Sequence, residues 1–147
     1  MWRNLVSILL AGSLLSVAAG AAAQSPPPPV QGGVYDSFGR QRGPDNVLPR
    51  NDRVLQIQAL QLGGLKISVF DTRGNLLGSQ FLVRTCDVRY DGRLASYVQT
   101  FRTVPARRGT PVENVTFVFR INDPVGDYDV YFQQPGGPLR SEVIKRR

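Results

Sequence analysis

The chain has 147 residues, 41% of them hydrophobic, with 18 basic against 11 acidic side chains and a formal net charge of +7. One cysteine and no histidine exclude an internal disulfide, a Ser-His-Asp triad, a Cys-His pair and every histidine-containing metal site. Catalysis is left with carboxylate pairs, Ser-Lys arrangements and Tyr, and neither Lys66 nor Lys145 stands in an S-x-x-K pattern.

Residues 1–23 read as a targeting segment. Arg3 supplies a positive start, and residues 5–19 form an apolar run that is short for a spanning helix. Ala21-Ala22-Ala23 offers a small-residue cleavage site, so the expected product begins at Gln24 and is soluble, either periplasmic or secreted. An uncleaved anchor is the alternative, although no stop-transfer pattern follows. Removing Arg3 leaves 17 basic against 11 acidic residues, an excess of six, and 16 of the 18 basic residues of the whole chain are Arg. The excess reflects either coding composition and a solvated surface or a polyanionic partner, because Arg makes forked contacts to phosphate and carboxylate. For an exported chain that partner is a polyanionic glycan or an anionic lipid, and no nucleic acid is expected.

Residues 24–33, with Pro26-Pro27-Pro28-Pro29, read as an extended polyproline II spacer. Residues 34–38 are expected as a short edge strand. Residues 38–53 hold Gly39, Gly43, Pro44 and Pro49 without periodicity and read as a long loop. Its Arg40, Arg42, Arg50 and Arg53 mark it as the first place to look for binding.

Strands over 54–62 and 65–70 are joined by Gly63-Gly64, a two-residue hairpin signal. A bulge near Ala59-Leu60 would turn Leu55, Ile57, Ala59, Leu60 and Leu62 inward together. Asp71-Thr72-Arg73-Gly74-Asn75 turns the chain into a strand over 76–90, and Asp91-Gly92 signals a type I′ hairpin. That turn predicts Leu82 opposite Phe101, Cys86 opposite Tyr97 and Val88 opposite Ala95, with Cys86 a buried, inert thiol. Arg84 then faces Gln99 in mid-face. Either its head extends to the rim, or it is a binding residue.

Residues 104–111 form a basic turn with Arg107 and Arg108 at the tip. Asn114-Val115-Thr116 matches a glycosylation pattern, discounted because the leader looks bacterial. Alternation through Val115, Phe117 and Phe119, and again through Tyr128, Val130 and Phe132, predicts a hairpin with Phe119 facing Val130 and Phe117 facing Phe132. On its wet side Arg120 faces Asp129. Asp123, Asp127 and Asp129 are a weak calcium set, with turn capping the commoner role for such residues. Residues 136–147 read as a basic C-terminal tail.

The pattern is all-β: an antiparallel sandwich of about seven strands over residues 34–135, with a small antiparallel barrel as the alternative. The run Lys66-Ile67-Ser68-Val69-Phe70-Asp71 with Gly74-Asn75-Leu76-Leu77, followed by Pro124-Val125-Gly126-Asp127-Tyr128-Asp129-Val130, resembles bacterial extracytoplasmic immunoglobulin-like domains. The resemblance implies a sandwich fold and no particular function.

Three functions stay open. The first is a non-catalytic envelope or secreted module that binds a protein or assembles. The second is a binder of anionic glycan or lipid through Arg40, Arg42, Arg84, Arg107 and Arg108. The third is a hydrolase using carboxylates such as Asp87 and Asp91. No catalytic residue, cofactor or resident metal is assigned.

Overall fold

The structure is a computed structural model that describes residues 25–39, 53–120 and 126–147. Eight strands run in chain order: β1 (Gly33–Gly39), β2 (Arg53–Ala59), β3 (Leu65–Asp71), β4 (Leu76–Asp91), β5 (Ser96–Thr103), β6 (Asn114–Phe119), β7 (Tyr128–Gln133) and β8 (Leu139–Arg146). Each pairs antiparallel with the next, and β8 returns to β1 through pairs from Tyr35↔Arg146 to Gly39↔Glu142. The sheet closes on itself as an up-and-down barrel, the alternative to the sandwich. Closure leaves no free edge, which matters for a chain with no disulfide.

The eighth strand decides between the two architectures. Residues 139–146, expected as a tail, alternate Arg140, Glu142, Ile144 and Arg146 with Leu139, Ser141, Val143 and Lys145. Their charge hides the period of two, yet they supply β1 with its second neighbour. Residues 34–38 are therefore part of a strand hydrogen-bonded on both sides rather than an edge. The folded unit reaches past residue 135 to the C-terminus. Arg147 is held as well, its Nε donating to Asp36 Oδ1 at 2.7 Å.

Alternate residues of each strand point into the barrel. The interior holds Tyr35, Leu55, Ile57, Leu65, Ile67, Leu82, Phe101, Val115, Phe117, Phe119, Tyr128, Val130 and Ile144. The inward faces expected of the 115–132 hairpin are correct, but its register is two residues tighter: Phe119 pairs Tyr128, Phe117 pairs Val130, and Val115 pairs Phe132. A slip of two keeps every side chain on its own face. Arg120 consequently meets Asp129 diagonally, at 3.1 Å.

Two other turns depart from expectation. β2 stops at Ala59, with no bulge near Ala59-Leu60. The chain then passes through a short 3₁₀ turn over Gln61–Gly63, where the Leu60 N–H donates to the Gly64 carbonyl at 2.8 Å. Leu62, at φ +65°, is almost fully exposed. Between β4 and β5 the loop is longer than two residues: Asp91 pairs Ser96, and Ala95 takes φ +50°. Bulges between Arg84 and Cys86 and between Cys86 and Arg89 then place Cys86 beside Thr100, exposed rather than buried against Tyr97. Tyr97 instead pairs with Tyr90, edge to face at 5.4 Å. No helix among the described residues is long and apolar enough to cross a membrane.

Candidate functional site

An eight-stranded barrel has an interior just wide enough to be filled by side chains or to hold one small ligand. Among the described residues the two ends of the barrel differ. At one end the chain entering β1 lies across the floor. The Val30 N–H donates to the buried Gln99 Oε1 at 2.9 Å, and the Tyr35 hydroxyl donates to the Gln31 carbonyl at 2.6 Å. Beneath this strap Tyr128 contacts the rings of Tyr35, Phe117 and Phe119 at centroid distances of 5.9, 5.7 and 5.1 Å. Gly126, at φ +121°, leaves room for the Arg146 side chain, which a Cβ there would meet at 2.7 Å. Arg146 Nη1 in turn donates to Gln31 Oε1 at 2.7 Å.

At the other end a cavity of about 350 Å³ opens where β2 begins and β8 starts. Leu55, Ile57, Ile67, Val69, Phe117, Val130, Phe132 and Ile144 line its wall. Arg53, Gln80, Arg140 and Glu142 add polar groups. Gly78 contributes no side chain, and a Cβ built on it would meet none of the described residues within 4 Å.

The charged groups are held in place. Glu142 accepts from the Ser37 hydroxyl at 3.1 Å and stands 3.6 Å from Arg53 Nη1. Arg140 Nη2 donates to both oxygens of the largely buried Glu113, at 2.9 and 2.8 Å, and its guanidinium lies 5.3 Å over the Phe132 ring. Glu113 also accepts from Gln134 Nε2 at 3.0 Å, and its N–H donates to Thr103 Oγ1 at 2.8 Å. Among the described residues the mouth is thus polar but balanced, and it is fixed by contacts from β1, β2, β8 and the β5–β6 connection. Such a site suits a small molecule with a long apolar part and a short polar end.

The residues singled out in the sequence fall in different places. Arg40, Arg42 and Asp123 lie outside the described residues. Arg84 lies away from the cavity mouth, packed over Gly63 and paired with Asp87 Oδ1 at 2.7 Å. Arg107 and Arg108 are exposed on the β5–β6 connection, at the open end. Asp127 accepts from the Arg146 N–H at 3.1 Å, and Asp129 is paired with Arg120. Asp87 and Asp91 sit on the β4–β5 hairpin and do not line the cavity. Arg53 was foreseen as part of a basic segment. Arg140 and Glu142 were missed, and the signal that could have found them is the Val143-Ile144 pair within an alternating run.

Comparison of the chain with protein-family models, with curated proteins and with solved structures finds no match.

Proposed function

We propose that this chain is an exported, non-catalytic binding barrel that carries a small, largely apolar molecule in its open end, with the molecule's polar end at Arg53, Arg140 and Glu142. The observation that carries this reading is the contrast between the two ends. Among the described residues one is packed with rings and crossed by a hydrogen-bonded strap, and the other keeps a volume of about 350 Å³ behind an ordered polar rim. An unfilled apolar space in a protein interior forfeits dispersion contacts and hydrophobic stabilisation. Its persistence behind a structured mouth is more economical if something occupies it. The leader-like residues 1–23 support export. The absence of histidine and the pairing of Glu142 with Ser37 and Arg53 favour binding over catalysis.

Gly78→Leu tests the reading, because its side chain would enter the mouth without straining the backbone. The fluorescence of N-phenyl-1-naphthylamine should rise on binding the native protein and be reversed by decanol or decanoate. Gly78→Leu should fold with the same circular dichroism spectrum and lose the signal. An unchanged signal in the variant, or none in the wild type, would overturn the proposal. The ratio of decanoate to decanol affinity reports whether the polar end is anionic.

A further inference from the structure

The outer wall of the barrel is uneven. On β3 and β4 the residues between the inward-facing ones are Lys66, Ser68 and Phe70, and Leu76, Ser79, Phe81 and Val83. Leu76 pairs Phe70 across a bulge, Phe81 pairs Lys66, and Val83 pairs Arg102 of β5. Val104 joins them by donating its N–H to the Phe81 carbonyl at 2.9 Å. Leu76, Phe81, Val83 and Val104 are 60, 48, 44 and 41% exposed, an apolar strip facing water on one side of the barrel.

Charge says what could cover it. Lys66 Nζ lies 5.6 Å over the Phe81 ring, and Arg102 stands beside Val83. Arg73 in the β3–β4 turn and Arg107 and Arg108 in the β5–β6 connection extend the basic border at one end. Among the described residues none of these five is in an ion pair. The carboxylates nearest that end are engaged: Asp71 caps its turn through the Asn75 side chain and the Arg73 and Asn75 N–H groups, and Glu113 holds Arg140. On the far side, across β7, β8 and β1, the outward acids Asp129 and Asp36 are matched by Arg120 and Arg147.

We propose that the outer face of β3, β4 and β5 docks on an anionic lipid bilayer. Leu76, Phe81, Val83 and Val104 would enter the boundary between head groups and acyl chains, and Lys66, Arg102, Arg73, Arg107 and Arg108 would meet lipid phosphates. Apolar area and attraction to anionic lipid are the two contributions that hold a peripheral protein at such a surface, and long basic side chains reach phosphates from an apolar seat. The strip shares β4 with the cavity mouth, which lies on the other face of Gly78, Ser79 and Gln80. The proposal does not depend on the cavity being loaded.

Co-sedimentation with vesicles of phosphatidylglycerol and phosphatidylcholine, against phosphatidylcholine alone, tests it. The full chain is used throughout, so that residues 1–24 contribute equally to every variant. Binding should favour the anionic vesicles and weaken steeply with salt. Phe81→Ser with Val83→Ser, and separately Lys66→Gln with Arg102→Gln, should each weaken it at least about tenfold. Tyr131→Ser with Lys145→Gln, an aromatic and a cation lost from the opposite side, should leave it unchanged. Melting curves check folding; if the Ser pair melts early, the Gln pair, which keeps the apolar strip, decides. Equal binding to both vesicle types, or equal losses in all three variants, would overturn the proposal. So would a solution dimer that the Phe81/Val83 pair dissociates, because it assigns the strip to a second copy.

Discussion

The Gln99 side chain, inside the barrel, accepts a hydrogen bond of 2.9 Å from the backbone N–H of Val30, 69 residues earlier in the chain. A two-residue turn at Asp91-Gly92 predicts Gln99 opposite Arg84. The actual register sets Arg84 against Phe101 and Gln99 against Phe117 of β6, and the amide's partner is the strap across the floor. Gln99→Leu leaves the Val30 N–H buried without an acceptor, which costs about 1–3 kcal/mol. The expected result is a lower urea midpoint with proteolysis of the native protein near residues 25–33. A wild-type cleavage pattern would mean that the strap is held without this bond.

Phe117 is fully buried, pairs with Val130, and meets the Phe101 and Tyr128 rings edge to face at 5.4 and 5.7 Å. Phe117→Ala should destabilise by about 3–5 kcal/mol, a large part of a small domain's stability. Thr116→Val, on the outer face of the same strand, should stay within about 0.5 kcal/mol. Chemical denaturation of both variants checks the face assignment. Val118 does not serve as the mild control, because it too is largely buried, on the outer side of the wall.

Cys86 is exposed on the β4–β5 hairpin. Labelling of the native protein by a thiol reagent should proceed at close to the rate of the unfolded chain. Cys86→Ser should change stability by less than about 0.5 kcal/mol. A thiol protected until unfolding would restore the tighter hairpin register.

Burial raises the hydroxyls of Tyr35 and Tyr128 above the usual tyrosine range, so both stay protonated in the fold when exposed tyrosines ionise. The unfolded chain ionises at about pH 10. A group whose folded value is raised contributes stability that is present below the unfolded value and fades as pH climbs toward the folded one. Stability should therefore fall from about pH 10 upward. Ultraviolet titration of the native protein should show a late tyrosine step, and Tyr35→Phe should reduce it. A native titration curve that Tyr35→Phe leaves unchanged in its late step would refute the assignment.

Local physics made much of this molecule readable in advance. Alternating hydrophobic side chains marked the inward faces of β6 and β7, and of β2 through Leu55 and Ile57, because a pleated strand sends neighbours to opposite sides. Asp71 to Asn75 declared its turn because a short carboxylate can accept the N–H groups of the next residues, here Arg73 and Asn75 at 2.9 and 2.8 Å. The ion pair of Arg120 and Asp129 survived a register error of two residues because such a slip preserves faces and both side chains can reach diagonally. What the chain alone could not decide was closure. Whether the sheet stacks as a sandwich or rolls into a barrel depends on β8 finding β1 across more than 100 residues, and the charges of β8 mask its period. The cavity mouth was hidden for the same reason. Arg53 lies far along the chain from Arg140 and Glu142 and becomes their neighbour only when the first and last strands pair.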